Sequence, residues 1–299
     1  MTGDPAPDEG PVSEEAPDEG NGSIRASGTF AKFAFGLVSE SGPARDHNED
    51  CAGAFVSTAP DDAWDRGPVF LLADGMGGHA AGEVASRLAV DTALERWTAG
   101  DPLVPPQGLR TVARAANEEI MDAAHAPGRR GMGTTLLALT LSGREAHIAH
   151  VGDSRAYLVR NGTCRQLTND HSRVGEMLRM KLITPEQAAT HPARSQLTQS
   201  LGADPLVRVD LIREPLQRGD VFVLCCDGIW DVVTREEIAD AAGDLGNTLR
   251  HAAELAEHLV DAAIKRESAD NVTALVVQVT SDQPVPPAVR RSLFSRRRS

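Results

Sequence analysis

The sequence of 299 residues has few cysteines and no long apolar run. No apolar segment approaches the roughly 18 residues that cross a bilayer, so we expect no integral membrane segment. The first 22 residues carry seven acids and no apolar stretch, so we expect no secretory signal either. The net charge of −13 argues against nucleic-acid binding, which depends on Lys and Arg to neutralise phosphates.

The four cysteines do not form a recognisable site. Their spacing matches no metal-ligand pattern, and the vicinal pair is a poor basis for a disulfide framework; they are Cys51, Cys164, Cys225 and Cys226. We therefore expect reduced, buried and inert thiols and a cytoplasmic location.

The two ends of the chain differ in composition from the middle. Residues 1–24 are rich in Asp, Glu, Pro and Gly and are predicted to be a disordered acidic tail. Residues 284–299 carry five arginines and no acid, which predicts a basic tail that is solvated or contacts an anionic membrane or an acidic partner. Residues 25–283 between them are strongly acidic and read as one domain.

Hydrophobic periodicity predicts both strands and helices in this domain. The helices are predicted at Glu83–Trp97, Gly108–Ala124 and Thr248–Arg266. Asn161-Gly162 lies between two short strands and predicts a tight hairpin. The remaining strands are predicted at Phe33–Val38, Val69–Ala73, Thr134–Leu141, His147–Val151, Val207–Ile212, Val221–Cys226 and Val272–Val279. The pattern alone leaves a parallel and an antiparallel sheet open.

Acidic residues stand at the ends of four predicted strands: Asp74, Asp153, Asp227 and Asp270. A single Asp-Gly after a strand is usually a turn, and Asp270-Asn271 alone fits a helix cap or a loop. Several such carboxylates on one sheet would repel each other, and divalent cations would remove that repulsion. Ligand sets made only of oxygen select hard ions such as Mg²⁺ or Mn²⁺.

A nucleotide-binding interpretation of the glycine-rich segment fails. Residues 75–80 fit the glycine pattern of a dinucleotide fingerprint, but Asp74 would place a carboxylate against the pyrophosphate. The segment after the next helix, Thr98–Gln107, is polar and rich in proline rather than a second strand. No P-loop pattern is present in the sequence.

Six short motifs carry a family resemblance, and they occur in this order: Arg45-Asp-His-Asn-Glu-Asp50, Asp74-Gly-Met-Gly-Gly-His79, Gly131-Met-Gly-Thr-Thr135, Gly152-Asp-Ser-Arg155, Asp227-Gly-Ile-Trp-Asp231 and Asp270-Asn271. Together they resemble the metal-dependent Ser/Thr protein phosphatases of type 2C in their bacterial form. The resemblance extends over Phe33–Val279.

The resemblance implies a fold and an activity. The fold is α+β, a four-layer α-β-β-α sandwich of two packed, mainly antiparallel sheets flanked by helices. The activity is hydrolysis of phosphoserine and phosphothreonine in proteins by in-line attack of a metal-bridging hydroxide. The implied partners are bacterial Ser/Thr kinases and their phosphorylated substrates, and the implied state is a cytoplasmic monomer.

The resemblance also implies roles for individual residues. Asp74 would bridge two Mn²⁺ or Mg²⁺ ions, and the Gly75 carbonyl would bind one of them. The other implied metal residues are Asp227 and Asp270 at the second ion, Glu49 and Asp50 through metal-bound waters, and Asp153 at a third, weaker ion. Arg45 would bind two oxygens of the substrate phosphate with its planar guanidinium. The alternative role for Arg45 is a structural ion pair. Asn271 completes the last motif.

One position departs from the animal members of the family. They carry histidine, proposed as the general acid, where this chain has Met76. A thioether cannot donate a proton, so a metal-bound water, His47 or His79 would protonate the leaving oxygen. The segment 168–202 resembles the bacterial flap beside the active site, which implies an influence on substrate choice.

Two other functions stay open on the sequence. The first is a relative that dephosphorylates one regulator, such as an anti-sigma-factor antagonist. The second is a catalytically inactive scaffold that binds phosphoproteins, although Asp74, Asp227 and Asp270 are all present.

Overall fold

The structure is a computed structural model that describes residues 13–15, 23–56, 67–77, 80–99, 103–244 and 251–285. Its strands are β1 Ser13–Glu15, β2 Ile24–Thr29, β3 Phe33–Glu40, β4 Asp50–Phe55, β5 Val69–Met76, β6 Gly133–Thr134, β7 Leu136–Ser142, β8 Glu145–Val151, β9 Arg155–Arg160, β10 Thr163–Gln166, β11 Asp210–Pro215, β12 Val221–Cys225 and β13 Val272–Val279. Its helices are α1 Ala80–Thr98, α2 Gln107–Ala123, α3 Arg173–Arg179, α4 Pro185–Ala189, α5 Asp227–Trp230, α6 Arg235–Asp244 and α7 His251–Lys265.

Two compact units alternate along the chain. The first unit comprises residues 1–48, 155–167 and 216–283, and the second comprises residues 49–154, 168–215 and 284–299. Each unit contains one sheet, and every strand pairing in both sheets is antiparallel.

The sheet of the first unit has seven strands in the order β1-β2-β3-β13-β12-β9-β10. Its centre is formed by Val-rich strands, and every residue of β12 and β13 is buried. Asn161 and Gly162 connect β9 to β10 with φ angles of 52° and 73°, as a two-residue hairpin turn of type I′ requires. Helix α7 packs on β3 and β13 through a buried stripe with helical spacing: Ala252, Leu255, Ala256, Leu259, Val260 and Ala263.

The sheet of the second unit has six strands, with β11-β8-β7-β5-β4 in order and β6 paired to β5. Helix α1 packs on β4 and β5, and α2 packs on α1. The core between these helices and the sheet is built largely from small residues, with Trp97 and Leu109 among its fully buried large side chains. The Trp97 indole N–H donates to the Gly67 carbonyl at 3.1 Å, which satisfies its one polar group.

The two antiparallel sheets with flanking helices confirm the predicted α+β class. The strand predicted at Thr134–Leu141 is divided into β6 and β7, and the one predicted at Val207–Ile212 begins at Asp210 instead. The described part of the chain contains no helix whose length and apolarity would let it cross a bilayer. Most of the predicted acidic tail and residues 286–299 of the basic tail lie outside the described residues.

Candidate active site

Two carboxylates face each other at one end of the second unit's sheet. Asp50 begins β4 and is paired directly with Asp74 near the end of β5. Asp50 is buried and Asp74 is half-buried. Directly opposed residues on antiparallel strands point to the same face, and like charges in this arrangement destabilise a sheet. This pair therefore favours a bound cation.

The backbone of Asp74 is held by the two threonines of the Gly131–Thr135 motif. The Asp74 N–H donates to the Thr135 hydroxyl at 2.9 Å, and the Asp74 carbonyl accepts from the Thr134 hydroxyl at 2.8 Å and from the Thr135 N–H at 2.9 Å. The sequence identified this motif as part of the resemblance without giving either threonine a role.

Gly75 lies where two backbones come too close for a side chain. Its N–H donates to the Glu49 carbonyl at 3.1 Å. A Cβ atom at this position would lie 2.5 Å from the same carbonyl oxygen and still closer to the Gly82 oxygen of α1. Glycine is therefore required here, and the contact fixes Glu49 beside the residue that follows Asp74.

Asp153 lies in the turn between β8 and β9 and is 9% exposed. Its neighbour Ser154 shares a hydrogen bond of 2.7 Å between its Oγ and the Oγ1 of Thr135. In the second unit, hydrogen bonds thus connect the segments at the ends of β4, β5 and β8. These segments carry Glu49, Asp50, Asp74 and Asp153.

The first unit brings Asp227 and Asp270 together. Asp227 opens α5 two residues after the end of β12, and Asp270 stands two residues before the start of β13. The segments around them are joined by two contacts: the Ser268 hydroxyl donates to the Gly228 carbonyl at 2.8 Å, and the Cys226 thiol donates to the Asn271 carbonyl at 3.3 Å.

Helix α5 is held from its other end by a cation–π contact. The Arg155 guanidinium lies 3.6 Å from the centre of the Trp230 ring. Arg155 belongs to the Gly152–Arg155 motif, so its contact with Trp230 joins two of the six motifs, a link that the sequence did not predict.

Arg45 is paired with Asp270. Its Nη2 lies 2.7 Å from Asp270 Oδ2, and its Nε donates to the Ala269 carbonyl at 3.2 Å. The side chain is nevertheless 45% exposed. The ion pair that the sequence left open is therefore present in the structure, and the phosphate-binding role of Arg45 stays a prediction.

Asn271 anchors the loop that carries Arg45. Its side-chain amide donates to the carbonyls of Ser41 and His47, both at 2.8 Å, and the residue is buried. His47 itself is exposed, whereas His79 lies outside the described residues. Met76 ends β5. Asn271 thus fixes the Arg45 loop against the segment of Asp270.

The flap at 168–202 contains α3 and α4 and is tied to the Asp153 turn by His171. The His171 N–H donates to the Gly152 carbonyl at 2.8 Å, and the Gly152 N–H donates to His171 Nδ1 at 3.2 Å. Because Nδ1 accepts, Nε2 carries the proton and faces Asp210 Oδ2 at 3.2 Å. His171 is buried, and burial lowers its pKa.

The four thiols are free, as the sequence predicted, and three of them are buried. Burial raises the pKa of Cys51 to about 12 and that of Cys164 to about 11. Neither thiol ionises near neutral pH, so neither is a nucleophile or a thiolate ligand.

The described residues include no cluster of three or more His, Cys, Asp or Glu side chains placed to bind an ion. The donors that the units do offer are carboxylates and backbone carbonyls, which suit Mg²⁺ and Mn²⁺.

Known proteins resemble this chain in both sequence and fold. The family model described as protein phosphatase 2C matches residues 56–263. The serine/threonine phosphatase Stp of Listeria welshimeri is 37% identical over 242 residues, which cover 79% of this chain and 92% of that protein. The crystal structure of the serine/threonine phosphatase PstP of Mycobacterium tuberculosis superposes with a TM-score of 0.71 at 34% identity and covers 84% of this chain and 100% of that one.

A further crystal structure holds the catalytic domain of PstP in complex with two manganese ions. It matches with a TM-score of 0.69 at 33% identity and covers 84% of this chain and 99% of that one. Together with the opposed carboxylates and the six ordered motifs, these similarities establish that the chain belongs to the protein phosphatase 2C family, alongside bacterial serine/threonine phosphatases.

Proposed function

We propose that this chain hydrolyses phosphoserine and phosphothreonine in proteins with the help of two Mn²⁺ or Mg²⁺ ions and opposes bacterial Ser/Thr kinases. The observation that carries the proposal is the pairing of Asp50 with Asp74 at the ends of β4 and β5. A sheet tolerates two carboxylates in direct opposition when a cation lies between or beside them.

The donor set fits the proposed ions. Asp74, the Gly75 carbonyl, Asp227 and Asp270 would hold two ions, with Glu49 and Asp50 behind coordinated waters and Asp153 at a third, weaker ion. All of these donors are oxygens, as hard divalent cations prefer. When bound, such ions act as Lewis acids towards phosphoryl oxygens and make water a nucleophile at neutral pH.

The chain's own residues bind and orient the phosphate. Arg45 has five N–H donors in a planar fork, and its contacts with Ala269 and Asp270 use two of them. Because the side chain is 45% exposed, the fork can also meet a phosphate arriving from solvent. Asn271 holds the loop in place, so Arg45 is positioned before the substrate binds.

The flap supplies a surface for the protein part of the substrate. Met180 and Leu182 are 68% and 65% exposed, which is unusual for large apolar side chains. Deleting this tip of the flap should lower turnover of a phosphoprotein more than turnover of a small aryl phosphate. Equal loss on both substrates would contradict this role.

Hydrolysis of a phosphothreonine peptide tests the proposed function. Turnover is measured with Mn²⁺, with Mg²⁺ and with a chelator, for the unaltered chain and for Asp227→Asn. Asp261→Asn, which removes an exposed acid on α7, serves as the matched control. We expect metal-dependent turnover that Asp227→Asn loses and Asp261→Asn keeps.

The same assay separates the proposal from its main alternative. If no metal supports turnover while the chain binds the phosphopeptide tightly, the inactive scaffold becomes the better hypothesis. We also propose that the protein acts as a cytoplasmic monomer, and light scattering after size-exclusion chromatography tests the monomer.

A further inference from the structure

Thr135 makes two hydrogen bonds with the backbone of Asp74, near the end of β5. Its hydroxyl accepts the Asp74 N–H at 2.9 Å, and its own N–H donates to the Asp74 carbonyl at 2.9 Å. The hydroxyl of the preceding Thr134 reaches the same carbonyl at 2.8 Å. Both polar backbone groups of Asp74 are therefore held by this one pair of residues.

Thr135 also touches both neighbours of Asp153. Its Oγ1 lies 2.7 Å from the Ser154 hydroxyl. On the other side its Cγ2 methyl fills the space of a side chain at Gly152, where an added Cβ would lie 2.5 Å away. Gly152 has a φ of 106°, a conformation that glycine adopts readily, so the turn closes tightly on the threonine.

The residues that make these contacts are buried. Thr135 is 1% exposed and Ser154 is 0% exposed. A hydroxyl carries one proton and two lone pairs, so Thr135 can accept from Asp74 and share a second hydrogen bond with Ser154. Valine has the shape of threonine, but it would leave the buried Asp74 N–H without its acceptor.

We propose that Thr135 is a positioning residue that sets the carboxylates of Asp74 and Asp153 relative to each other and so couples the main metal pair to the third ion. This inference rests on the proposed function, because it concerns the same acids. Residues that orient metal ligands typically change metal affinity by about 10–100-fold when they are replaced.

The test compares three variants in a direct Mn²⁺ titration. Binding is measured by calorimetry and by the electron paramagnetic resonance signal of unbound Mn²⁺. Thr135→Val removes the hydroxyl, and Thr135→Ser keeps it. Thr140→Val is the matched control, because Thr140 of the following strand β7 is as fully buried as Thr135 and its hydroxyl donates to the Pro68 carbonyl at 2.6 Å. Thermal melting of each metal-free variant records the loss of stability separately.

We expect Thr135→Val to bind Mn²⁺ about 10–100-fold more weakly, while Thr135→Ser and Thr140→Val bind like the unaltered chain. Aryl phosphate turnover of Thr135→Val should then recover at high Mn²⁺ concentration. Unchanged Mn²⁺ affinity in Thr135→Val, or an equal loss in Thr140→Val, would overturn the inference.

A second variant keeps the test decisive if Thr135→Val does not fold. Ser154→Ala removes only the Asp153 side of the link and should abolish the weaker Mn²⁺ binding event while the stronger events remain. Retention of every binding event in Ser154→Ala would then reject the coupling. If the unaltered chain itself neither binds Mn²⁺ nor hydrolyses phosphate esters, the proposed function fails, which is a different result.

Discussion

His150 should make the second unit sensitive to acid. It lies on β8, is 0% exposed, and its ring centre is 4.6 Å from that of His171. Burial, the largest cause, together with the neighbouring His171 lowers the pKa of His150 from its ordinary value of 6.5 to about 3. The carboxylates of Asp170 and Asp210 act in the opposite direction but have smaller effects.

The sign and size of the effect follow from proton linkage. In the unfolded chain His150 takes up a proton below about pH 6.5, whereas in the folded chain it stays neutral until about pH 3. The unfolded state therefore gains stability as the pH falls through this range. At pH 5, about 1.5 pH units below the ordinary pKa, the loss amounts to about 2 kcal/mol of unfolding free energy.

Urea unfolding followed by circular dichroism at pH 7, 6 and 5 measures this loss. A chelator is present, so that no bound ion contributes to stability. His150→Leu should flatten the pH dependence, with about 2 kcal/mol less loss between pH 7 and pH 5 than the unaltered chain shows. His258→Leu, which replaces an exposed histidine of α7, is the control and should leave the pH dependence as it is.

The comparison depends on how steeply the unfolding free energy changes with pH. It does not depend on the absolute stability, which the substitution by leucine will also change. If His150→Leu loses stability with falling pH as steeply as the unaltered chain, burial of His150 is not the cause of its acid sensitivity. The reasoning would be refuted equally if His258→Leu flattened the curve by the same amount.

Three further substitutions have outcomes that the contacts define. Asp74→Asn relieves the repulsion with Asp50, so the metal-free protein should be more stable by about 0.2–1 kcal/mol in thermal melting while it loses phosphatase activity. Asn271→Ala leaves the loop carbonyls of Ser41, which is buried, and His47 without their donor; urea unfolding should show a loss of about 1–3 kcal/mol, and the KM for a phosphopeptide should rise. Asp220→Asn breaks the bidentate ion pair that Asp220, itself 1% exposed, makes with Arg160; unfolding free energy should fall by about 3 kcal/mol with little change in kcat.

The sequence predicted best those strands that are continuous apolar runs. β12 and β13 are of this kind, and both were identified almost to the residue. β2 and β4 were not predicted, because their sequences, IRASGT and DCAGAF, contain only one large apolar side chain each and form strands by pairing with β3 and β5. Tertiary pairing overrode local preference in both cases.

Some missed helices had a readable start signal. Thr234 and Glu237 form reciprocal hydrogen bonds at the start of α6, as in a capping box. Thr184 and Gln187 do the same at α4. Both pairs show the spacing of Ser or Thr followed three residues later by Glu or Gln, so attention to this pattern would have found them.

Four acids of the candidate site could be predicted because each stands beside an apolar strand, where a carboxylate is conspicuous: Asp74, Asp153, Asp227 and Asp270. Glu49 and Asp50 border β4, which was not predicted, and were identified through the family resemblance alone. The residues that hold the acids in place could not be predicted. Thr135 is 61 residues from Asp74, and Asn271 is 230 residues from Ser41. Nothing in the local sequence distinguishes such threonines and asparagines from any others, since their roles exist only through partners brought close by the fold.

The opposed pair of Asp50 and Asp74 links the stability of this protein to its function. The sheet ladder and the hydrogen bonds from Thr134 and Thr135 hold the backbone of Asp74 in place whether or not a cation is bound. The repulsion between the carboxylates is therefore not relieved by moving the strands apart, and it lowers the stability of the metal-free state. A cation that binds the pair removes the repulsion, so part of its binding free energy comes from the fold itself. A site preorganised in this way binds its ions with little rearrangement, which is what stabilisation of a phosphoryl-transfer transition state requires.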